Sequence, residues 1–310
     1  MRRKLIYILP LVFAAAALGD GERVIYTVDS LYTRIIVSQT SSVRIMRFQE
    51  GPVAQPADRY FAQSAILLRD PHALYMSYAR YSIACAGLVE DPERVLFVGL
   101  GAGSMPRFFA KAFPQTQVEV VEIDAMVVDV ARRFFFLPEL ENMKITVMDG
   151  RIYIRQSTQK YDMIFLDAYR GQHIPFHLMT LEFLEEAKAR LAPGGVIVSN
   201  IAVADTAQLY PWLMRTYQSA FPTLFRARVG GSMNKVLVGW SEPGAETRRS
   251  FRSKTAELAG RVDFGFDAAA LAGHYEDVSS RITTRRVLTD DYAPVNLMWH
   301  RQATRRDWEY

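Results

Sequence analysis

The chain has 310 residues, of which 50% are hydrophobic and 23% are charged, and its formal net charge is +4. This length and composition allow a sizeable core, with one main domain and an appendage as the expected organisation. The cations are scattered rather than gathered in a stripe, which disfavours nucleic acid as a partner. A single cysteine, Cys85, excludes an internal disulfide, and five scattered histidines argue against structural zinc.

The first residues have the pattern of an export signal. Three cations at residues 2–4 precede an apolar run at residues 5–18, which is too short to span a bilayer comfortably. Ala17 and Gly19 are small, as a cleavage site requires. We therefore expect residues 1–19 to be a signal peptide or membrane anchor, which predicts a periplasmic, secreted or membrane-anchored protein. If the segment is not a signal, the protein is expected to be cytoplasmic.

A small β subdomain is predicted at residues 20–57. The stretches "RVIYTVDS", "YTRIIVSQ" and "SVRIMRF" alternate and are rich in β-formers, which predicts three strands before the Gly- and Pro-containing "QEGPVAQPAD". A helix is then expected over residues 71–88, with Asp70 as its N-cap and Pro71 in its first turn.

Beyond that helix, apolar strands alternate with amphipathic helices, which predicts an α/β fold with a mostly parallel sheet covered on both faces. We place this nucleotide-binding domain at residues 58–242 and a helical, polar extension at residues 243–310. The predicted strands are "RVLFVGL", "QVEVVEID", "KITVMDG", "YDMIFLDAY" and "GGVIVSNI", followed by "TLFRARV" and "NKVLVGW" as an antiparallel pair.

The ends of three successive strands carry glycines or carboxylates. Gly99, Gly101 and Gly103 follow the first strand, and in open α/β sheets ligands bind outside the carboxyl ends of the strands. Glu122 ends the second strand, where a carboxylate can accept hydrogen bonds from ribose hydroxyls. A helix N-cap is the alternative role, for which Asp124 fits better.

Asp149 ends the third strand, where it could bind an adenine amino group. The glycine spacing departs from the dinucleotide pattern because Ser104 stands where that motif needs its third glycine. No cluster of cations is present for a pyrophosphate. The pattern favours S-adenosylmethionine or a relative, whose positive sulfonium tolerates nearby carboxylates.

Together, "VLFVGLGAGS", "VEVVEID", "ITVMDGRIYI" and "YDMIFLDAY" resemble the spermidine synthase (polyamine aminopropyltransferase) family. Upstream, "DSLYTRIIV" is similar to the family's N-terminal β-hairpin, and "LTDDYAPVNLM" is similar to a branch often fused to membrane segments. The resemblance implies a Rossmann-like class I methyltransferase fold with a small N-terminal β subdomain.

The resemblance also implies roles for matching residues. Glycines 99, 101 and 103 would flank the amino-acid tail of decarboxylated S-adenosylmethionine, Glu122 would hold the ribose, and Asp149 with Gly150 would hold the adenine. Asp167 would be the catalytic aspartate. The acceptor pocket would include Gln63 and Tyr78. Tyr169 could stack over the acceptor, with packing as the alternative.

Some positions depart from the family pattern. Arg170 stands where a second acidic residue is usual, and "ALYMSYAR" lacks the family's acidic and His-Glu residues, which disfavours putrescine. Asp290 and Asp291 could fold over the site and restore negative charge, or they could form a turn before Pro294. Alternatively, Arg170 could pair with a carboxylate or phosphate on another acceptor.

His173 and His177 follow Asp167, but no third ligand of the right type lies nearby and Pro175 interrupts the helical register. We therefore expect no metal, and a loop that roofs the acceptor pocket.

Three functions stay open at this point. The leading prediction is aminopropyl transfer from decarboxylated S-adenosylmethionine to a small-molecule amine, either a polyamine or another amine. The alternatives are S-adenosylmethionine-dependent methyl transfer and a catalytically inactive, exported nucleotide-binding module. A homodimer and membrane association through the N-terminus are further expectations.

Overall fold

The computed structural model describes residues 21–49, 61–169, 174–244, 246–280 and 284–293. The leader at residues 1–19, Arg170 and His173 lie outside these ranges, so the predictions made for them stay predictions. Within the described ranges, none of the helices combines the length and the apolarity needed to cross a membrane.

The N-terminal part is a four-stranded antiparallel sheet in the order β1-β2-β3-β4. Its strands are β1 (Arg23–Asp29), β2 (Arg34–Gln39), β3 (Val43–Gln49) and β4 (Phe61–Leu67). The fourth strand was not predicted and lies beyond the predicted boundary at residue 57. Glycine and prolines interrupt the pattern before it, yet β4 pairs with β3 across that interval.

The main sheet has eight strands in the order β12-β10-β11-β9-β8-β5-β6-β7. Its five central strands, β5 to β9, are mutually parallel, and β10, β11 and β12 complete one side in antiparallel pairing. The antiparallel pair that the sequence predicted corresponds to β10 and β11. The bounds are β5 (Arg94–Val98), β6 (Gln117–Glu122), β7 (Met143–Val147), β8 (Tyr161–Leu166), β9 (Leu191–Ala202), β10 (Thr223–Arg228), β11 (Asn234–Trp240) and β12 (Glu276–Asp277).

Helices cover both faces of this sheet. They are α1 (Ser77–Ala84), α2 (Ser104–Ala112), α3 (Ala125–Phe134), α4 (Gly150–Gln156), α5 (Leu181–Lys188), α6 (Leu209–Ala220), α7 (Arg248–Ala259) and α8 (Ala268–Ala272), with 3-10 helices at Cys85–Leu88 and Phe176–Leu178. Alternate residues of β5 show the two faces: Val95 and Phe97 belong to one buried cluster, whereas Leu96 and Val98 belong to the other. This two-sided burial explains why the strand is apolar throughout.

The prediction of a helix from residue 71 was wrong at its start. Asp70 Oδ1 accepts hydrogen bonds from the backbone amides of His72 and Ala73, which closes a turn instead of capping a helix. Met76, at the N-cap position, has extended backbone angles, and α1 begins at Ser77. An aspartate side chain can bind nearby backbone amides that would otherwise join a helix, so such residues favour turns as well as helix caps.

The N-terminal sheet lies against helix α3. Ile35, Val37 and Met46 of the sheet share a buried cluster with Val127 and Val130 of the helix. Because α3 follows β6 directly, this packing brings the small sheet to the carboxyl ends of the parallel strands. The C-terminal extension, predicted as helical, contains α7 and α8 and also adds β12 to the edge of the main sheet.

Candidate active site

A cavity of about 1210 Å³ lies between the N-terminal sheet and the carboxyl ends of the parallel strands. Gly101, Glu122, Asp149 and Asp167 all line it. Four strand ends that are far apart in the chain therefore border one shared space. This is the arrangement that the strand-ending residues predicted, because the carboxyl ends of parallel strands meet at one edge of a sheet.

Gly99 allows the turns after β5 and β8 to approach each other. Its φ is +100°, and a Cβ atom there would collide with the backbone carbonyl of Asp167. The amide of Asp167 in turn donates to the carbonyl of Val98 over 2.9 Å. A side chain at position 99 would displace Asp167, so glycine is required by both conformation and space.

Glu122 is held by the two turns that surround it. Its Oε2 accepts from the backbone amide of Leu100 at 3.0 Å, and its Oε1 accepts from the amide of Asp124 at 3.0 Å. Burial raises its pKa, and these backbone hydrogen bonds oppose that shift. Asp124 takes the role of N-cap of α3, accepting from the amide of Met126, which leaves Glu122 facing the cavity.

Asp149 combines a structural bond with a cavity-facing one. Its Oδ1 caps α4 by accepting from the amide of Ile152, and its Oδ2 lies 3.0 Å from Nε2 of His177. Gly150 also lines the cavity, and a Cβ there would collide with Val98. His177 was predicted to belong to the roof of the acceptor pocket, and the structure places it on the cavity wall.

Asp167 is the most perturbed carboxyl group of the cavity wall. Its Oδ1 accepts from Asn200 Nδ2 at 2.8 Å and its Oδ2 accepts from the Tyr78 hydroxyl at 3.2 Å. Loss of hydration raises its pKa to about 7, and the two hydrogen bonds act in the opposite direction. A carboxyl group with such a pKa can exchange a proton near neutral pH.

The predicted acceptor-pocket residues Gln63 and Tyr78 also line the cavity. The Tyr78 hydroxyl lies 3.4 Å from the backbone carbonyl of Gln63, a second acceptor besides Asp167. Tyr169 lines the cavity as well, but its hydroxyl joins the backbone of β9: it donates to the carbonyl of Asn200 and accepts from the amide of Ala202. These two bonds support the packing alternative for the Tyr169 hydroxyl.

Two predicted site residues do not line the cavity. Gly103, with φ +73°, starts α2, and a Cβ there would press on Leu137, so this glycine serves helix packing. Asp291 is exposed, and its neighbour Asp290 pairs with Arg151 at 2.6 Å. The second carboxylate expected over the acceptor is therefore not provided by this pair, because Arg151 binds one of them away from the cavity.

Sequence reasoning missed several polar residues of the cavity wall. Asn200, which donates a hydrogen bond to Asp167, lies two residues before the end of β9, and its place near a strand end was the available signal. Three further buried atoms on the wall have no hydrogen-bond partner among the described residues: Gln49 Nε2, Ser104 Oγ and Asp124 Oδ2. A polar ligand can satisfy such atoms, and leaving them unpaired is unfavourable.

The described residues contain no group of three or more His, Cys, Asp or Glu side chains that could hold a metal ion. His177, considered above as a ligand, instead pairs with Asp149.

Comparison with known proteins identifies the family. A model of the spermine/spermidine synthase domain matches residues 79–226. A polyamine aminopropyltransferase from Vibrio vulnificus (strain CMCP6) is 31% identical over 290 residues, covering 89% of this chain and 91% of that protein. The chain belongs to the spermidine synthase family. Its membership confirms the resemblance drawn from the motifs and makes the chain a transferase of the aminopropyltransferase type.

Solved structures agree with the fold of the spermidine synthase family. A probable spermidine synthase from Corynebacterium glutamicum ATCC 13032 superposes with a TM-score of 0.66 at 22% identity, covering 84% of this chain and 95% of that one. Human methyltransferase-like protein 13 in complex with SAH gives a TM-score of 0.54 at 26% identity, covering 60% of this chain and 91% of that one. The class I methyltransferase-like fold is thereby confirmed.

Proposed function

We propose that this chain transfers the aminopropyl group of decarboxylated S-adenosylmethionine to a small amine, with Asp167 as the general base. One observation carries the proposal: a carboxyl group with a pKa of about 7 faces the same cavity as Glu122 and Asp149. A group that can accept a proton and groups that can bind a nucleoside thus line the same cavity. The matching name of the Vibrio vulnificus relative supports the same reaction class.

The residues of the wall suit such a donor. Glu122 offers carboxylate oxygens for ribose hydroxyls, and Asp149 with Gly150 would hold the adenine. Gly101 would lie along the tail of the donor, and Ser104 Oγ, which has no hydrogen-bond partner in the part of the chain that the structure describes, belongs to a residue lining the same cavity. When bound, the donor supplies a propyl carbon activated by the adjoining sulfonium.

Asp167 would act on the acceptor amine. An alkyl amine is protonated at neutral pH, so its nitrogen must lose a proton before it can attack carbon. Asp167 Oδ2 is positioned to take that proton, after which the C–N bond forms, the C–S bond breaks and a thioether leaves. Once Oδ2 is protonated, the Tyr78 hydroxyl can turn from it to the carbonyl of Gln63.

Methyl transfer from S-adenosylmethionine is the second candidate, favoured by the likeness to human methyltransferase-like protein 13. The two reactions need different donors, because S-adenosylmethionine carries a carboxylate that the decarboxylated form lacks. They share the fold and the nucleoside site, so the donor distinguishes them.

Calorimetric titration of the purified protein with each nucleotide tests the proposal, followed by turnover assays on a panel of polyamines and monoamines. We expect binding of the decarboxylated donor and formation of an aminopropylated amine. Binding of S-adenosylmethionine alone, with a methylated product, would replace the proposal by methyl transfer. Binding without turnover on any amine would favour a nucleotide-binding module.

A further inference from the structure

A chain of side-chain amides connects Asp167 to a turn on another part of the sheet. Asn200 Nδ2 donates to Asp167 Oδ1, and Asn234 Nδ2 donates to Asn200 Oδ1, each over 2.8 Å. The Ser232 hydroxyl contacts Asn234 Oδ1 at the far end. All four residues line the cavity. The links come from the loop after β8, from β9, from the first residue of β11 and from the turn before it, so the chain exists only in the folded sheet.

Each link fixes the direction of the next one. An asparagine amide can rotate to exchange its oxygen and nitrogen, and a carboxylate neighbour alone would favour the nitrogen. Asn234 adds a second constraint, since its NH₂ group requires the oxygen of Asn200 on the opposite side. A rotated Asn200 would place its oxygen against Asp167 and its NH₂ group against the NH₂ group of Asn234. Both contacts would be repulsive, and Asn200 is only 5% exposed, so water has little access to relieve them.

From this geometry we infer that Asn200 and Asn234 are positioning residues that together keep Asp167 Oδ1 hydrogen-bonded and leave Oδ2 to receive the proton. The inference rests on the proposed role of Asp167 as a base. It extends that role to Asn234, the first residue of β11, which is linked to Asp167 through Asn200.

The other groups that face Asp167 do not duplicate this function. Tyr78 of α1 donates to Oδ2, the oxygen that must accept the proton. Tyr169, on the loop after β8, directs its hydroxyl to the backbone of β9. Lys235, the cation of β11, donates to the carbonyl of Val203 and pairs with Asp205. Asn200 is thus the side chain that donates to Oδ1 among the described residues.

Loss of the donor to Oδ1 would favour the neutral form of Asp167. Asn200 lowers the pKa of Asp167 against the effect of burial, so weakening this bond raises that pKa. The base is then ionised only at higher pH. The acid limb of the pH–rate profile, where kcat/KM falls as the base becomes protonated, should therefore move to higher pH.

Variants at Asn234 test the inference without touching Asp167 or Asn200. Asn234→Ala removes the orienting donor, and Asn234→Asp replaces it with an acceptor of the same shape that favours the rotated Asn200. We expect the acid limb of kcat/KM to move to higher pH, by about half a pH unit in Asn234→Ala and by about one unit or more in Asn234→Asp. One unit corresponds to a tenfold change in proton affinity. Met233→Ala, at the neighbouring position and 44% exposed, is the matched control and should leave the limb in place.

A second measurement does not depend on turnover. A double-mutant cycle between Asn234→Ala and Asp167→Asn, followed by thermal unfolding, should give a coupling that is larger at pH 9, where Asp167 is ionised, than at pH 5. If no amine is turned over but this coupling is found, the proposed function fails and the amide chain stands. Unmoved acid limbs in both Asn234 variants, or a coupling that is the same at both pH values, would overturn the inference.

Discussion

The two halves of the cavity are built in different ways. In the half where we propose that the donor binds (the donor half), Glu122 and Asp149 accept hydrogen bonds from backbone amides of the turns after β5 and β6 and of the first turn of α4. In the half where we propose that the acceptor binds (the acceptor half), which contains Tyr78, Asp167, Asn200 and Asn234, the carboxylate is held by side chains from other elements. A backbone amide remains when the side chain of its residue is replaced, whereas a side-chain donor is lost with the substitution. The acceptor half is therefore the part where single changes should alter the chemistry most.

The sharpest way to break the acceptor half is Asp167→Asn. Removing a general base should lower kcat by about 10²–10⁴-fold. Donor affinity, measured by calorimetry, should stay close to that of the unmodified protein, because the donor half is untouched. An Asp167→Asn variant with unchanged turnover would remove the base assignment.

The same variant should gain stability at high pH. Burial raises the pKa of Asp167 from its ordinary 3.8 to about 7. Folding thus favours the protonated form. The resulting contribution of Asp167 to the free energy of unfolding is complete below pH 3.8 and is lost as the pH rises through 7. Asp167→Asn should raise the free energy of unfolding at pH 8.5 by on the order of 1 kcal/mol, with a smaller gain at pH 5. Thermal unfolding at both pH values checks the sign.

The donor half is tested by Glu122→Gln. Losing a charged acceptor for ribose hydroxyls should weaken donor binding by about 10- to 100-fold, with a smaller effect on kcat. The matched control is Glu119→Gln on the same strand, where Glu119 bonds Tyr153, Tyr161 and Arg94. That variant should cost stability while leaving donor affinity unchanged. Equal loss of affinity in both variants would contradict the ribose assignment.

Tyr78→Phe should have an intermediate effect that depends on pH. The Tyr78 hydroxyl lowers the pKa of Asp167, so removing it should move the acid limb upward and reduce kcat/KM at pH 7 by about three- to tenfold. The loss should shrink at pH 9, where Asp167 is ionised in both proteins. Tyr169→Phe is the control: its hydroxyl joins β9, so the limb should stay in place although stability falls.

The smallest effect is expected for Asp291→Asn, because Asp291 is exposed and does not line the cavity. Steady-state constants should stay within about twofold of the unmodified enzyme, as is usual for surface changes. Asp290→Asn should instead cost about 1 kcal/mol of stability, because it weakens the ion pair with Arg151. The cost is modest because the Asp290 side chain is partly exposed to solvent. A strong rise in acceptor KM for Asp291→Asn would restore the sequence prediction for this residue.

Sequence reasoning located cavity residues where a polar side chain coincides with a strand end, and the roles given to them stay predictions. Glu122, Asp149 and Asp167 each follow an apolar run, and the apolar run alone identifies the strand. Asn200 lies near the end of β9 but was missed, because an asparagine there has many roles and its partner Asp167 is 33 residues away. The sequence could not show that Gly103 lies outside the cavity lining and faces Leu137, because that contact depends on the packing of residues distant in the chain.

Local patterning by itself determined the alternation of strands and helices, the edge of the sheet where the site lies and the carboxylates at that edge. The physical reason is that two-sided burial requires continuous apolar strands, and parallel strands must end together. Only the tertiary structure decided the start of α1 at Ser77, the pairing of β4 with β3, the turning of Asp290 toward Arg151 and the joining of Asn200 to Asn234. Each of these depends on which distant group competes for the same hydrogen-bonding atom, and that competition is settled only when the elements have packed.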